Sequence, residues 1–146
     1  MSELEILELF CKVHQRLMKR VLPLLRKNGL TGPEFFVMWK VKKRVFCRVT
    51  DLAEKTGIPP STLTGILDRL EERGFIRRTP DLSDRRSILV KSTPNLESFL
   101  EQLTTEIEKV LQHSLSSLSS PELLDRLKHD LRLLVASLDL GEGETD

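Results

Sequence analysis

The chain has 146 residues, 39% hydrophobic and 31% charged, a length at which one compact domain is the first expectation and a multidomain enzyme is not. Soluble domains usually run at about 45–50% apolar and about 25% charged, so the balance is that of an ordinary folded protein rather than a disordered one. The net charge of +1 hides an asymmetry: residues 40–91 carry thirteen Lys and Arg against seven Asp and Glu, and the rest carries ten against fifteen, so the middle of the chain is set to face a polyanion, nucleic acid first.

In chain order, Leu7, Phe10, Leu17, Val21 and Leu24 recur at steps of three and four from Leu4 to about Lys27, with His14 interrupting the stripe. This spacing predicts a long amphipathic helix with a narrow seam, stopped at Asn28-Gly29 and kinked in its last turn by Pro23. Thr31-Gly32-Pro33-Glu34 reads as a capping box, with Thr31 as N-cap and Glu34 reaching back, opening a helix to about Lys42. Thr50 is expected to cap a short helix from Asp51 to Thr56, ended by Gly57, and Pro60 to open the next, running to about Arg73.

On that helix Leu63, Ile66, Leu67 and Leu70 fall within an arc about 100° wide. Ser61, Thr62, Thr64, Gly65, Asp68 and Arg69 take the other side. Beyond Gly74, residues 75–79 read as a strand, 80–84 as a turn and 87–91 as the returning strand of a hairpin. Thr93-Pro94 starts a long helix through Leu96, Leu100, Leu103, Ile107, Val110 and Leu111 that should fade near Leu118. Ser119-Ser120-Pro121-Glu122 starts the last, with Leu124, Leu127, Leu131, Leu134 and Leu138 on its stripe, and an acidic tail follows from Gly141. The domain reading is 1–30 a dimerisation helix, 31–92 a DNA-binding lobe, 93–140 two further dimerisation helices and 141–146 the tail.

Two short helices joined by a Gly-containing turn and followed by a basic hairpin make a winged helix-turn-helix. A helix entering a major groove about 12 Å wide needs short, hydroxyl-bearing residues near its N-terminus, which Ser61, Thr62 and Thr64 supply, while Gly65 allows close backbone approach. The bland reading is that these hydroxyls only solvate a helix face. At the hairpin tip, Asp84-Arg85-Arg86 places arginines where a narrow minor groove would attract them, with Asp84 orienting the Arg86 guanidinium. The alternative there is a solvated turn with a surface ion pair. Lys40, Lys42, Lys43, Arg44 and Arg48 form a basic run, from which Lys43, Arg44 and Arg48, together with Arg77 and Arg78, are the candidate phosphate contacts.

The sequence resembles the MarR-type transcriptional regulators. The residues that carry the resemblance are Gly29-Leu30-Thr31, Asp51-Leu52-Ala53, Ser61-Thr62-Leu63-Thr64, Leu67-Asp68-Arg69-Leu70-Glu71, Arg73-Gly74-Phe75-Ile76-Arg77-Arg78, Asp84-Arg85-Arg86-Ser87 and Leu118-Ser119-Ser120-Pro121-Glu122. It implies a mainly α fold with a β-hairpin wing, and a homodimer whose first and last two helices intertwine. It further implies that Ser61, Thr62, Thr64, Gly65 and Arg69 face the major groove and that Arg86, held by Asp84, enters the minor groove. Where the family usually has Leu-Thr-x-x-Gly after the wing, this chain has Ser92-Thr93-Pro94-Asn95-Leu96, which puts the local geometry there in question.

The expected function is therefore a sequence-specific regulator, a repressor in most members, reading a pseudo-palindromic operator as a dimer. Family members often bind small aromatic acids, so a small aromatic or anionic effector is an expected partner, with His14 near Phe35 and Trp39 one place to look and a core histidine the simpler reading. No cofactor, metal or catalytic group is implied: Cys11 and Cys47 are too few for a disulfide framework; Cys11 and His14 stand at a helical spacing of three that invites a metal or redox-switch reading, but on a largely apolar helix where thiolate activation is not expected; and the spacing of His113 and His129 with acidic residues carries no zinc signal. No nucleophile with its base can be named, so no enzyme activity is expected. The acidic start and the absence of an apolar run near 18 residues lead to a cytoplasmic expectation with no membrane partner. The rival from another class is a protein-binding adaptor that reuses the winged fold.

Overall fold

The computed structural model describes residues 2–44, 46–118 and 120–141. In chain order these form α1 (Glu3–Lys27), α2 (Gly32–Lys42), β1 (Cys47–Arg48), α3 (Val49–Thr56), α4 (Pro60–Glu72), β2 (Ile76–Asp81), β3 (Asp84–Ser92), α5 (Pro94–Ser114) and α6 (Pro121–Gly141). The acidic tail from 142 onward and Ser119 of the expected last-helix start lie outside the described residues. No described helix is long and apolar enough to cross a membrane.

Helix ends follow local chemistry. At the end of α1, Gly29 adopts φ +70°; its N–H donates to Arg26 O, and the Leu30 N–H to Leu25 O at 2.9 Å. Two orphan carbonyls are thereby satisfied, with Leu25 and Leu30 both buried. The same device closes α4, where Gly74 has φ +74° and Phe75 N–H reaches Leu70 O at 3.0 Å. Pro23 lies within α1, which continues through it to Lys27. Thr31 caps α2 as expected, its Oγ1 accepting from the Glu34 N–H at 3.3 Å.

Three boundaries and one cap differ from the sequence expectation. Helix α3 begins at Val49, two residues before Asp51, and its N-cap is Arg48, with no side-chain cap bond. The reason is β1: Cys47 and Arg48 pair with Val90 and Leu89 of β3, which holds the backbone extended to Arg48 and turns it directly into the helix. The strands of the wing extend to Asp81 and from Asp84, so the turn is only Leu82-Ser83 rather than 80–84. Helix α5 ends at Ser114, a turn earlier than Leu118. Glu34 does not reach back to complete the capping box; its buried carboxylate takes Arg69 instead.

Two compact units are distinguished, residues 1–110 and 111–146. The first contains a three-stranded antiparallel sheet in the order β1-β3-β2. Its core combines Val37, Met38 and Val41 of α2, Leu52 of α3, the four apolar residues of α4, Ile76 and Val90 of the sheet, and Leu96, Leu100 and Leu103 of α5. Each fully buried Leu or Ile contributes about 1.5–3 kcal/mol, so the apolar face of α4 anchors the helix whose other face is free to work. In the second unit, α6 is capped by Ser120, whose Oγ accepts from the Leu123 N–H. Its Leu123, Leu127, Leu131 and Leu138 are all exposed.

One side chain missed by periodicity ties the first unit together. Arg73 donates through Nη1 and Nη2 to the carbonyls of Gly29 and Asn28, at 3.2 and 3.0 Å. Its guanidinium also lies over the rings of Phe75 and Phe99, which are themselves 4.7 Å apart. A cation at the C-terminal carbonyls of α1 is favourable for the helix dipole as well, and the planar fork suits both the carbonyls and the rings.

Candidate nucleic-acid interface

Ser61, Thr62, Thr64, Asp68 and Arg69 are all exposed along one side of α4, and Gly65 is half-buried among them. The start of this helix is electrostatically unusual for the chain. Pro59 is the N-cap and supplies no side-chain acceptor, and the first turn carries no acidic residue; every other described helix has Asp or Glu there. The positive end of the α4 dipole is therefore left uncompensated beside the hydroxyls of Ser61 and Thr62, an arrangement that favours an approaching phosphate. Thr64 is partly committed, since its Oγ1 donates back to Pro60 O at 2.9 Å.

Arg69 is the residue whose situation sequence reasoning missed. Its Nε donates to Glu34 Oε1 at 3.0 Å, with the Glu34 side chain 8% exposed and that of Arg69 55% exposed. The guanidinium lies along the helix past Gly65, where a Cβ would stand 3.5 Å from Nη1. Glu34 thus fixes the arginine on the outer face of α4 without covering it. A buried carboxylate three residues into α2 looks, in sequence, like the reciprocal half of a capping box.

The wing is locked to α4 by Arg78. Its Nε donates to Glu71 Oε2 and its Nη2 to Asp68 Oδ1, both at 2.6 Å, and its backbone N–H reaches Glu71 Oε1 at 3.5 Å. The bond from Arg78 holds the Glu71 carboxyl below the usual carboxylate range, and the same bond holds the guanidinium proton more tightly. Arg78 is thus engaged inside the chain. So is Arg48, whose Nε lies 3.2 Å from Asp81 Oδ2. Both are phosphate candidates by sequence, and in this arrangement each is paired with carboxylates of α4 or the wing.

At the tip, Asp81 Oδ1 accepts from the Ser83 hydroxyl at 2.7 Å and the Ser83 N–H at 3.0 Å. These bonds, the hydroxyl first, lower the Asp81 pKa, with Arg48 adding to the effect. Asp84 accepts from the Arg86 backbone N–H at 3.1 Å and from the Ser87 hydroxyl at 3.0 Å. It therefore orders the Arg86 backbone rather than its guanidinium, the physical reason being that a carboxylate two residues upstream in a tight strand entry meets the N–H first. Arg85 and Arg86 are exposed beside it. Lys43, Arg44 and Arg77 are exposed too, and Lys43 Nζ lies 5.4 Å from the centre of the Trp39 ring.

The remaining candidates stay apart from this surface. His14 and Cys11 are exposed on α1, so His14 is not a core histidine of this chain. Cys47 is buried, and burial raises its thiol pKa, keeping it an unreactive packing residue. Among the described residues no group of three or more His, Cys, Asp and Glu is arranged to hold a metal ion.

Comparison with known proteins agrees with this geometry. The MarR family profile matches residues 30–88. An HTH-type transcriptional regulator, YfiV, from Bacillus subtilis is 33% identical over 81% of this chain and 73% of its own. The HTH-type transcriptional repressor MdtR of the same organism is 30% identical over 75% and 71%. A cysteine-substituted MarR from E. coli, solved in complex with operator DNA, superposes with a TM-score of 0.71 at 23% identity, covering 87% of this chain and 91% of the other. Together with the hairpin wing beside a helix of short hydroxyl residues, these relations establish that the chain belongs to the MarR family of winged helix-turn-helix, DNA-binding transcriptional regulators.

Proposed function

We propose that the protein is a repressor that reads a pseudo-palindromic operator as a homodimer. Each lobe sets Ser61, Thr62, Thr64, Gly65 and Arg69 against the major groove and Arg86 in the adjacent minor groove, with Asp84 ordering the wing entry. The observation that carries this reading is the start of α4, an uncompensated helix N-terminus flanked by exposed hydroxyls and held to the wing by Arg78. Lys43, Arg44 and Arg77 extend the basic surface toward the phosphates on either side. The repressor role draws support from MdtR, which is named as one, and operator binding from the E. coli MarR complex.

Dimerisation is supported by the exposed stripe of α6 and by Leu4, Leu7 and Phe10 of α1; narrow apolar seams of this kind need a partner helix. On this reading residues 1–30 and 93–140 form the dimer region and 31–92 the DNA-binding lobe, with half-sites about one helical turn, about 10 bp, apart. A small aromatic or anionic ligand that alters the separation of the lobes would relieve repression.

The experiment is fluorescence anisotropy on labelled DNA from upstream of the gene against scrambled DNA, at about 150 mM salt. Specific binding near 10⁻⁸ M, at least about 10³-fold over scrambled DNA, is expected. Arg86→Ala should weaken specific binding by about 1–3 kcal/mol. Unchanged affinity of that variant at matched salt removes Arg86 from the groove, and equal weak binding to both DNAs throughout, with a tight protein partner, would favour the adaptor reading.

A further inference from the structure

Helix α1 has 25 residues, a rod of about 37 Å at about 1.5 Å per residue. Its buried residues, Val21 and Leu25, both lie in its last two turns, while Leu4, Leu7, Phe10 and Val13 show their side chains to solvent. The chain passes from α1 to α2 through residues 28–31, with Gly29 at φ +70°. Apolar burial of Val21, Leu25 and Leu30 holds this end in place, but burial is non-directional, so it resists separation better than rotation. A turn of about 10° at such a joint moves the far end of the rod by about 6 Å, against about 3.4 Å per base-pair step.

Direction at the joint comes from Arg73, the C-cap of α4. Its guanidinium donates to two successive carbonyls, Asn28 O at 3.0 Å and Gly29 O at 3.2 Å. A planar fork on two neighbouring acceptors fixes an angle as well as a distance. The rings of Phe75 and of Phe99 on α5, 4.8 and 5.4 Å from the guanidinium carbon, hold the plane of that fork. The fit is close, since a Cβ on Gly29 would stand 3.5 Å from Arg73 Nη1. Arg73 is nevertheless exposed, so it can be replaced without opening the core. It also lies about 18 Å along α4 from Ser61, at the end of the helix away from the hydroxyl-bearing start.

We propose that Arg73 is a positioning residue that sets the angle between α1 and the DNA-binding lobe, and through that angle the spacing of the half-sites the dimer reads. The first part stands on the geometry of one chain. The second rests on the proposed operator binding by a homodimer, in which α1 belongs to the dimer region and the angle decides where each recognition helix falls along the duplex.

The test has two arms. In the first, spin labels are attached at Lys12→Cys on α1 and Leu82→Cys on the wing tip, both exposed positions, in a Cys11→Ser background that leaves only the buried Cys47. Labelled protein is diluted with unlabelled chains, and distances within one chain are read by pulsed electron spin resonance. A single narrow distribution is expected with Arg73 in place. A broader or displaced one is expected for both Arg73→Gln and Arg73→Lys, because an ammonium keeps the charge but not the fork. Identical distributions in all three proteins overturn the proposal. Both variants should keep the ¹⁵N amide spectrum of the lobe; its loss in both would make Arg73 a folding residue and overturn the positioning role.

In the second arm, anisotropy is measured on operators with half-sites at the native spacing, one base pair closer and one base pair further apart, and on a single half-site. A one-base-pair change should cost the wild type at least about tenfold in affinity and Arg73→Gln about threefold or less. Affinity for the single half-site should be the same in both. An unchanged spacing preference, or equal weakening on every DNA, overturns the link to spacing. A wild type indifferent to spacing contradicts the dimeric operator reading instead, and the distances of the first arm then decide the positioning role alone.

Discussion

A single buried carboxylate decides the geometry of the arginine on the exposed face of α4. Glu34 is 6% exposed and is held by Arg69; deleting the arginine strands a desolvated carboxylate, whereas neutralising the acid leaves a guanidinium that water can reach. Arg69→Ala should therefore cost about 1–3 kcal/mol in urea unfolding, the range for an orphaned buried polar group, and Glu34→Gln visibly less. Equal losses would mean that the pair acts only through its own attraction. Gly65 offers a second separation of stability from function. Its added methyl would meet Arg69 Nη1 at 3.5 Å, an ordinary contact, and glycine inside a helix is worse than alanine by about 0.5–1 kcal/mol. Gly65→Ala is thus expected to raise the unfolding midpoint while weakening operator binding in the anisotropy assay; weakened stability would show that the position is needed for packing. Ser61, Thr62 and Thr64 were legible in the sequence because their face is fixed by helical period. Glu34 was not, because an acid at that offset from Thr31 already had a local explanation, and only the arrival of α4 thirty-five residues later supplies the other.

At the level of elements, the wing is a hairpin whose order depends on carboxylates. The native pKa values of Asp81 and Glu71 are depressed, so the stability these groups contribute is fully present above their unfolded values, about 3.9 and 4.3. It is lost as pH falls through the lower native values. The protection of amides in β2 and β3, taken relative to the intrinsic exchange rate at each pH, should fall on acidification below about pH 4 in wild type, and the fall should be smaller in Asp81→Asn. A variant with the full fall would transfer the effect to other carboxylates. The hairpin itself could be read from Phe75 to Lys91, but its tip could not. Asp81 and Ser83 tighten the turn to two residues through side-chain bonds, and β1 is two residues long, too short to show any alternation.

For the whole molecule, the informative feature is what a single chain leaves uncovered. Leu127 and Leu131 of α6 are 44% and 38% exposed and Leu138 is 65% exposed, and such a stripe is costly in water. Leu131→Glu should shift sedimentation from dimer toward monomer and reduce operator affinity by at least tenfold, with the wing and α4 intact by NMR; a dimer that persists would place the interface elsewhere. The sequence by itself determined the helices, the hairpin, the hydroxyl face of α4 and the family, because these rest on periodicity, caps and motif order within short windows. Only the tertiary structure decided which charges are paired within the chain. Arg48 and Arg78, phosphate candidates by sequence, take Asp81, Asp68 and Glu71 from other elements as partners, and strand register sets Arg77 opposite Lys91. Charge pairing is a property of distance in space, and no local pattern of residues encodes it.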